Sequence, residues 1–225
     1  MNQVIDRVQP RLSPCKAAIL DHPFSTEEVR ITTFLISPNK TPGPDGMSRM
    51  FYQKNWDIVG HKVTAACLHC LNDGISMEDI NSTLIVLIPK VRNPKQIKEF
   101  RPISLCNVIY KIVAKALVSR LRMVIDDVIS KSQSAFIPGR LIIDNALIGF
   151  ECLHAIRNRK WKMGSFAIKL DMMKAYDRVE WTFLDTMMRK LGFYGQWVAK
   201  MMNCVSTVSF SFVINGEVCG LIKPS

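Results

Sequence analysis

Apolar residues change their spacing several times along this chain, and each change marks an element. Ser25 and Glu28 stand three apart ahead of Val29, Ile31, Phe34 and Leu35, the pattern of a capping box opening a short helix. From Phe51 to Leu71 the spacing is helical, until Asn72-Asp73-Gly74 stops it. Thr83 to Ile88 reads as a buried strand closed by Pro89-Lys90. Residues 107–125 return to helical spacing, with Ile109, Ile112, Val113, Ala116, Leu117, Leu121 and Val124 on one side. Ser165 to Leu170 alternates, which puts Phe166, Ile168 and Leu170 on one face of a strand. Beyond Asp171, the residues Met173, Tyr176, Val179, Phe183, Met187 and Leu191 keep helical spacing as far as Gly192. VSFSFVINGEVCGLI holds two strand-like runs around Asn215-Gly216, a favoured tight hairpin turn.

The stretches between these elements have their own chemistry. Residues 1–24 read as irregular, because Pro10, Pro14 and Pro23 interrupt any period. KTPGPDG, Lys40 to Gly46, is turn chemistry: its prolines fix φ and its glycines permit positive φ. KVRNPKQIKEFRP is a basic loop, either a hairpin tip or a solvated linker. SQSAFIPGRLIIDN, Ser132 to Asn145, reads as a loop entering a helix. No internal repeat and no linker between separate domains is visible. The pattern as a whole is helix-rich with small antiparallel sheets, an α+β class.

Composition narrows the partners. The 225 residues are 48% hydrophobic, enough for a core. The net charge of +11 and a pI near 9.5 fit either a polyanionic partner, most often nucleic acid, or a generally basic protein. No apolar run approaches the roughly 20 residues that span a bilayer, so a membrane is not an expected partner. Seven scattered cysteines fit reduced thiols in an intracellular protein, in nucleus or cytoplasm. Cys67 and Cys70 read as helix core, with no second ligand pair to make a zinc site.

The candidate chemistry centres on Asp171. An aspartate at a strand end serves as a helix N-cap or as an oxygen ligand for Mg²⁺. Tyr176 would lie about one turn further on, either packed in the core or against a bound sugar. Lys90 and Arg101 flank the basic loop and could clamp a triphosphate or simply solvate it. Lys111, Lys115 and Arg122 form a basic stripe on the predicted helix over 107–125.

An ordered set of motifs then points to a family. KTPGPDGMSRMFYQKNW, LIVLIPKVRNPKQIKEFRPISLCNVIYKIVAKALVSRL, SQSAFIPGRLIIDNALI, IKLDMMKAYDRVEW and LGF…CVSTVSFSFVINGEVCG follow in sequence from about residue 25. Together they resemble the reverse transcriptase of LINE-type (non-LTR) retrotransposons, of the kind abundant in plants. The resemblance implies a fragment of a right-hand polymerase, with an irregular segment over 1–24, a fingers-like region over 25–105 and a partial palm over 106–181. Residues 182–225 would then be a helix end and a fingers-like hairpin. It implies that Asp171 is the first catalytic aspartate and that the Met172 carbonyl is a further contact for Mg²⁺. Tyr176 would be the aromatic gate beneath the incoming sugar, Lys90 and Arg101 the triphosphate grip. Gln133, Phe136, Gly139 and Arg140 would touch template and primer. The implied reaction is RNA-directed DNA synthesis by two-metal nucleotidyl transfer. The implied partners are an RNA template, an RNA–DNA hybrid or DNA primer, and deoxynucleoside triphosphates.

Two departures qualify that expectation. Met173 stands where the family commonly has a small or polar residue. The later RQGDPLSP-type segment and the YADD-type hairpin with the other catalytic aspartates do not appear. Asp177 and Asp185 do not replace them, because both fall in the helical run after Asp171. The expectation is therefore a truncated copy that is inactive alone. The alternative is a non-catalytic, nucleic-acid-binding remnant.

Overall fold

The computed structural model describes residues 5–158, 165–172 and 175–224. Met173, at the motif's departure, lies outside them. Nine helices and four strands are described: α1 Pro14–Asp21, α2 Thr26–Leu35, α3 Arg49–Lys54, α4 Trp56–Asn72, β1 Ser82–Pro89, β2 Phe100–Cys106, α5 Val108–Leu121, α6 Ile125–Val128, α7 Ile142–Asn158, α8 Trp181–Leu191, α9 Gly195–Ser206, β3 Ser209–Ile214 and β4 Glu217–Ile222. Helices α1, α2, α4, α5, α8 and α9 enclose one apolar core around Leu20, Leu71, Met77, Ile112, Leu117 and Trp197.

The irregular reading of residues 1–24 is corrected by α1. Pro14 starts this helix rather than breaking it, because the first turn needs no amide donor from N1. Ser13 caps it by accepting from the Lys16 amide at 3.4 Å, and Ala17 and Leu20 point into the core. The backbone amides of Arg11 and Leu12 both donate to the Leu191 carbonyl at 3.0 Å, so the segment before α1 satisfies the last turn of α8.

The capping box of α2 forms as expected. The Glu28 amide donates to Ser25 Oγ at 3.2 Å, and the Ser25 amide donates to Glu28 Oε2 at 2.8 Å. Its buried face differs from the apolar spacing: Val29, Thr32 and Thr33 go inside, while Ile31, Phe34 and Leu35 stay exposed. Thr33 tolerates burial because its hydroxyl donates to the Val29 carbonyl at 2.8 Å. The helical stretch from Phe51 divides into α3 and α4 at Asn55. In α4, Val63, Thr64, Cys67, Cys70 and Leu71 form the inner face, and Cys67 and Cys70 are core residues as their spacing suggested. Burial pushes the Cys67 thiol up to about 12, which leaves it inert at neutral pH.

Helix α5 carries the least expected core residue. Val108, Ile112, Val113, Ala116 and Leu117 are buried, and Arg120 continues the same face, also buried. Its Nε and Nη2 donate to the two Glu28 carboxylate oxygens at 2.8 and 2.9 Å. Nη1 donates to the Leu20 carbonyl at 3.2 Å and also to that of His22, and Nη2 reaches the Pro23 carbonyl at 2.9 Å. The guanidinium carbon lies 3.5 Å from the Phe24 ring centroid. One cation therefore satisfies the exposed end of α1 and the capping carboxylate of α2 together.

The strands correct the expectation of small antiparallel sheets. They form one mixed sheet in the order β2-β1-β3-β4. β1–β2 and β3–β4 are antiparallel hairpins, but β1 and β3 run parallel, with Ser82 opposite Ser209 and Val86 opposite Val213. A parallel pair needs a long crossover, and helices α5 to α9 supply it. Asn81 sets the start of both strands. Its Nδ2 donates to the Cys204 carbonyl at 2.9 Å and to Thr207 Oγ1 at 3.0 Å, while its own carbonyl accepts from the Ser209 amide. Asn215 and Gly216 take φ of 52° and 87°, the left-handed conformation of a tight hairpin turn.

The strand expected over Ser165–Leu170 is absent, and the helix expected to begin at Asp171 begins instead at Trp181, after a short 3₁₀ turn over Ala175–Arg178. Alternation makes a strand only where another strand can pair with it, and no described strand runs beside 165–170. Phe166, Ile168 and Leu170 are exposed, and so is nearly all of α7, including Ile143, Leu147 and Phe150. Gly192 ends α8 at φ 100°, as its sequence position suggests.

Arg120→Ala should cost about 2–3 kcal/mol in chemical denaturation, because it leaves three carbonyls and the half-exposed Glu28 carboxylate without their donor. Burial alone would raise the Glu28 pKa, but hydrogen bonds from Arg120 and the Ser25 amide, with the Arg120 charge, hold it below its usual 4.5. Its stabilising effect is thus present above pH 4.5 and is lost as pH falls through the depressed value. Melting temperature should fall more steeply on acidification for the wild type than for Glu28→Gln.

Candidate nucleic-acid interface

The basic loop is a hairpin tip, not a linker. Ile88 pairs with Arg101 and Pro89 with Phe100, and the Lys90 amide donates to the Glu99 carbonyl at 2.7 Å. Lys90 and Arg101 are thereby brought to the base of one exposed loop. Lys90 Nζ donates to the Lys98 carbonyl at 3.0 Å, which turns its ammonium across the loop. Residues 90–101 hold five cations (Lys90, Arg92, Lys95, Lys98 and Arg101) and one carboxylate, Glu99. Glu99 faces inward: its Oε2 accepts from the Lys95 and Gln96 amides at 2.6 and 3.1 Å and closes the 3₁₀ turn Ile97–Glu99. The loop spends its only negative charge on its own backbone and leaves its positive charges facing water.

The segment before α7 is built around Arg140. Its Nη1 donates to the Ser130 and Gln133 carbonyls at 2.6 and 2.7 Å, and its Nη2 pairs with Asp126 at 2.7 Å. Gln133 Nε2 donates to the Ala135 carbonyl at 3.2 Å. Gln133 and Arg140 are therefore brought together, but by loop closure rather than by pointing at a common ligand. Phe136 sits at φ 64°, a backbone state that is uncommon for a large side chain, and the residue is 86% exposed. Gly139 takes φ 77° with open space around it. Asn145 Nδ2 donates to the buried Ser134 hydroxyl at 2.8 Å and ties the loop to α7.

Asp171 and Met172 lie exposed on the irregular stretch 165–172. Among the described residues, no hydrogen bond or ion pair joins Asp171 to either basic loop. Tyr176 has its backbone in the turn Ala175–Arg178, and its side chain lies outside the described residues. Among the described residues, no three His, Cys, Asp or Glu side chains cluster as a metal site would require.

Residues 88–221 match the family described as reverse transcriptase (RNA-dependent DNA polymerase). The chain belongs to that family. The matched span takes in both basic loops, Asp171 and the last hairpin. Over 206 residues, 92% of its length, the chain is 31% identical to the transposon TX1 uncharacterized 149 kDa protein of Xenopus laevis, covering 16% of that protein. Over 191 residues, 82% of its length, it is 25% identical to the retrovirus-related Pol polyprotein from type-2 retrotransposable element R2DM of Drosophila melanogaster, covering 17% of it. The family resemblance read from the motifs is thus shown to be LINE-type, and the chain spans less than a fifth of the length of these relatives.

Two structural cations in this reverse transcriptase domain escaped sequence reasoning. Arg120 continues the 108, 112, 113, 116, 117 periodicity of the buried face, and that spacing is the signal by which it could have been found. Arg49 had no such signal. It donates to the Ser37 carbonyl and so ties down the loop 37–46. Of the stripe on α5, Lys111 and Lys115 are half-buried and only Arg122 is exposed.

Arg140→Ala should open the loop Ser130–Arg140 without unfolding the core. Limited proteolysis should show faster cleavage within 131–140, with a melting temperature changed by no more than a few degrees.

Proposed function

We propose that this chain is the fingers and part of the palm of an RNA-directed DNA polymerase, and that its own contribution is to grip nucleic acid and nucleotide. The fingers comprise residues 25–105 and the partial palm residues 106–181. Residues 182–225 add the helix and hairpin that complete the sheet. The observation that carries this reading is the exposed β1–β2 hairpin with five cations and an internally spent carboxylate. Lys90 and Arg101 at its base bind the triphosphate of an incoming deoxynucleotide by charge-assisted hydrogen bonds. Phe136 offers its ring to a base of the template–primer duplex, while Gln133, Gly139 and Arg140 shape the loop that presents it. Template pairing supplies sequence choice, and the protein contacts the backbone of an RNA template or RNA–DNA hybrid.

Catalysis is a separate matter. Members of this family use divalent metal ions, which bring a primer hydroxyl and an α-phosphate into line and stabilise both oxygens. On the family resemblance, Asp171 would be one ligand, the Met172 carbonyl a further contact and Tyr176 the gate beneath the sugar. An exposed carboxylate without partner ligands does not fit a two-ion Mg²⁺ site, and among the described residues no group of three His, Cys, Asp or Glu side chains gathers anywhere. The second reading, a nucleic-acid-binding remnant without catalysis, draws its support from that deficit.

Binding to a labelled RNA–DNA hybrid should weaken linearly with log salt. Arg92→Gln with Lys95→Gln, two exposed cations at the tip of the same hairpin, should flatten that slope by about 2, one unit per lost phosphate contact. An unchanged slope would remove the hairpin from the interface. The 225-residue chain with Mg²⁺ should extend no primer on an RNA template. Detectable extension abolished by Asp171→Ala would show that the binding-only reading is wrong.

A further inference from the structure

The strap 37–46 lies over the junction between β2 and α5 and is held there at its start and its middle. Arg49 Nη1 donates to the Ser37 carbonyl at 3.2 Å, and Lys111 Nζ reaches the Thr41 carbonyl at 3.5 Å. The strap's middle is pressed against Asn107: a Cβ on Gly43 would lie 2.5 Å from the Asn107 amide nitrogen. Asn107 Oδ1 accepts from the Asp45 amide at 3.4 Å, and its Nδ2 donates to the Ile80 carbonyl at 3.2 Å. Close packing of backbone on backbone fixes the strap, so the charges around it are held in place.

Those charges do not balance. Lys40, Arg49 and Lys111 surround the strap, with Asp45 the one carboxylate on it. Asp45 lies within electrostatic reach of Lys111, but its Oδ1 accepts from the Met47 amide at 3.0 Å. Among the described residues, none of the three cations comes within ion-pair distance of a carboxylate. Arg49 and Lys111 are both half-buried, and Arg49 Nε is buried with no hydrogen-bond partner. Burial pulls both groups below their ordinary pKa, and the nearby Arg49 charge pulls Lys111 further. Two like charges held together and partly withdrawn from water, with a net excess of two, make a place that an anion would stabilise.

We propose that the strap 37–46, with Lys40, Arg49 and Lys111, is a phosphate-binding site. A planar guanidinium beside an ammonium suits phosphate oxygens, and the excess charge matches that of a phosphate. The site is distinct from the hairpin grip: Arg101 and Cys106 begin and end most of β2, roughly 17 Å apart along the strand. The phosphate is either one in the backbone of a bound strand or one of free phosphate or a mononucleotide. Only the choice of source rests on the reverse-transcriptase reading.

The test has two arms. In the first, wild-type chain is melted in sodium phosphate and in sodium chloride of matched ionic strength. Phosphate should raise the melting temperature by about 3 °C at ten times its Kd. In the second, binding of a labelled RNA–DNA hybrid is followed against salt for wild type, Arg49→Gln with Lys111→Gln, and the charge-keeping Arg49→Lys with Lys111→Arg. A slope flattened by about 2 in the first variant and kept in the second assigns the site to a strand backbone. A phosphate shift with unchanged slope assigns it to free phosphate or a mononucleotide. Neither a phosphate shift nor a slope change overturns the proposal. If the wild type binds no nucleic acid at all, the gripping function fails, and the site is still decided by whether the phosphate shift shrinks in Lys40→Gln, an exposed position whose replacement leaves the packing intact. An undiminished shift there and in the double variant is the general salting effect of phosphate and overturns the proposal.

Discussion

The Arg120 guanidinium is the constraint on which the helical half of this molecule depends. A cation on the buried face of α5 would be expelled if its surroundings could not satisfy it. Here two helix ends do so. The last carbonyls of α1 and the capping carboxylate of α2 both need donors, and one side chain reaches all of them. The order of α1, the turn at residues 22–24 and α2 follows from that shared partner. Helix α5 also leads directly from β2 through Asn107, so the same contact orients the sheet against the helices.

The sheet then presents its chemistry at opposite ends. β1 and β2 extend beyond the helical layer into the basic loop at residues 90–99, while the other end of β2 runs under the strap 37–46. The two cation groups differ in kind. Those of the hairpin are exposed, and solvent and salt screen them. Arg49 and Lys111 are half-buried and are screened much less. The exposed apolar residues of α7 and of 165–172 form a third kind of surface, one with apolar side chains and few hydrogen bonds to hold it.

Much of the fold was legible because local signals agreed with tertiary demand. The capping box at Ser25 and Glu28, the stop at Gly192 and the Asn215-Gly216 turn all appear where residue chemistry puts them. Most of the failures share one cause, a decisive partner distant in sequence, although the cap that lets Pro14 open α1 is the adjacent Ser13. Pro14 reads as a breaker until it is seen as the first residue of a helix whose end meets Arg120. Phe166, Ile168 and Leu170 read as a strand because alternation says nothing about a neighbour. The parallel pairing of β1 with β3 depends on Asn81 meeting Cys204 and Thr207 more than a hundred residues away. For the interface, the sequence marked Lys90 and Arg101 through their loop. It could not show that Arg140 spends its donors on Ser130, Gln133 and Asp126.

We propose that the basic hairpin and the Phe136 loop both contact a bound nucleic-acid duplex. Hydrogen exchange read by mass spectrometry, with and without an RNA–DNA hybrid, tests it most directly. Slowed exchange at residues 89–101 and 131–140, with the α4–α5 core unchanged, is the expected result. Slowed exchange confined to α7 and the β4 edge, or none anywhere under conditions of saturating hybrid, would contradict it.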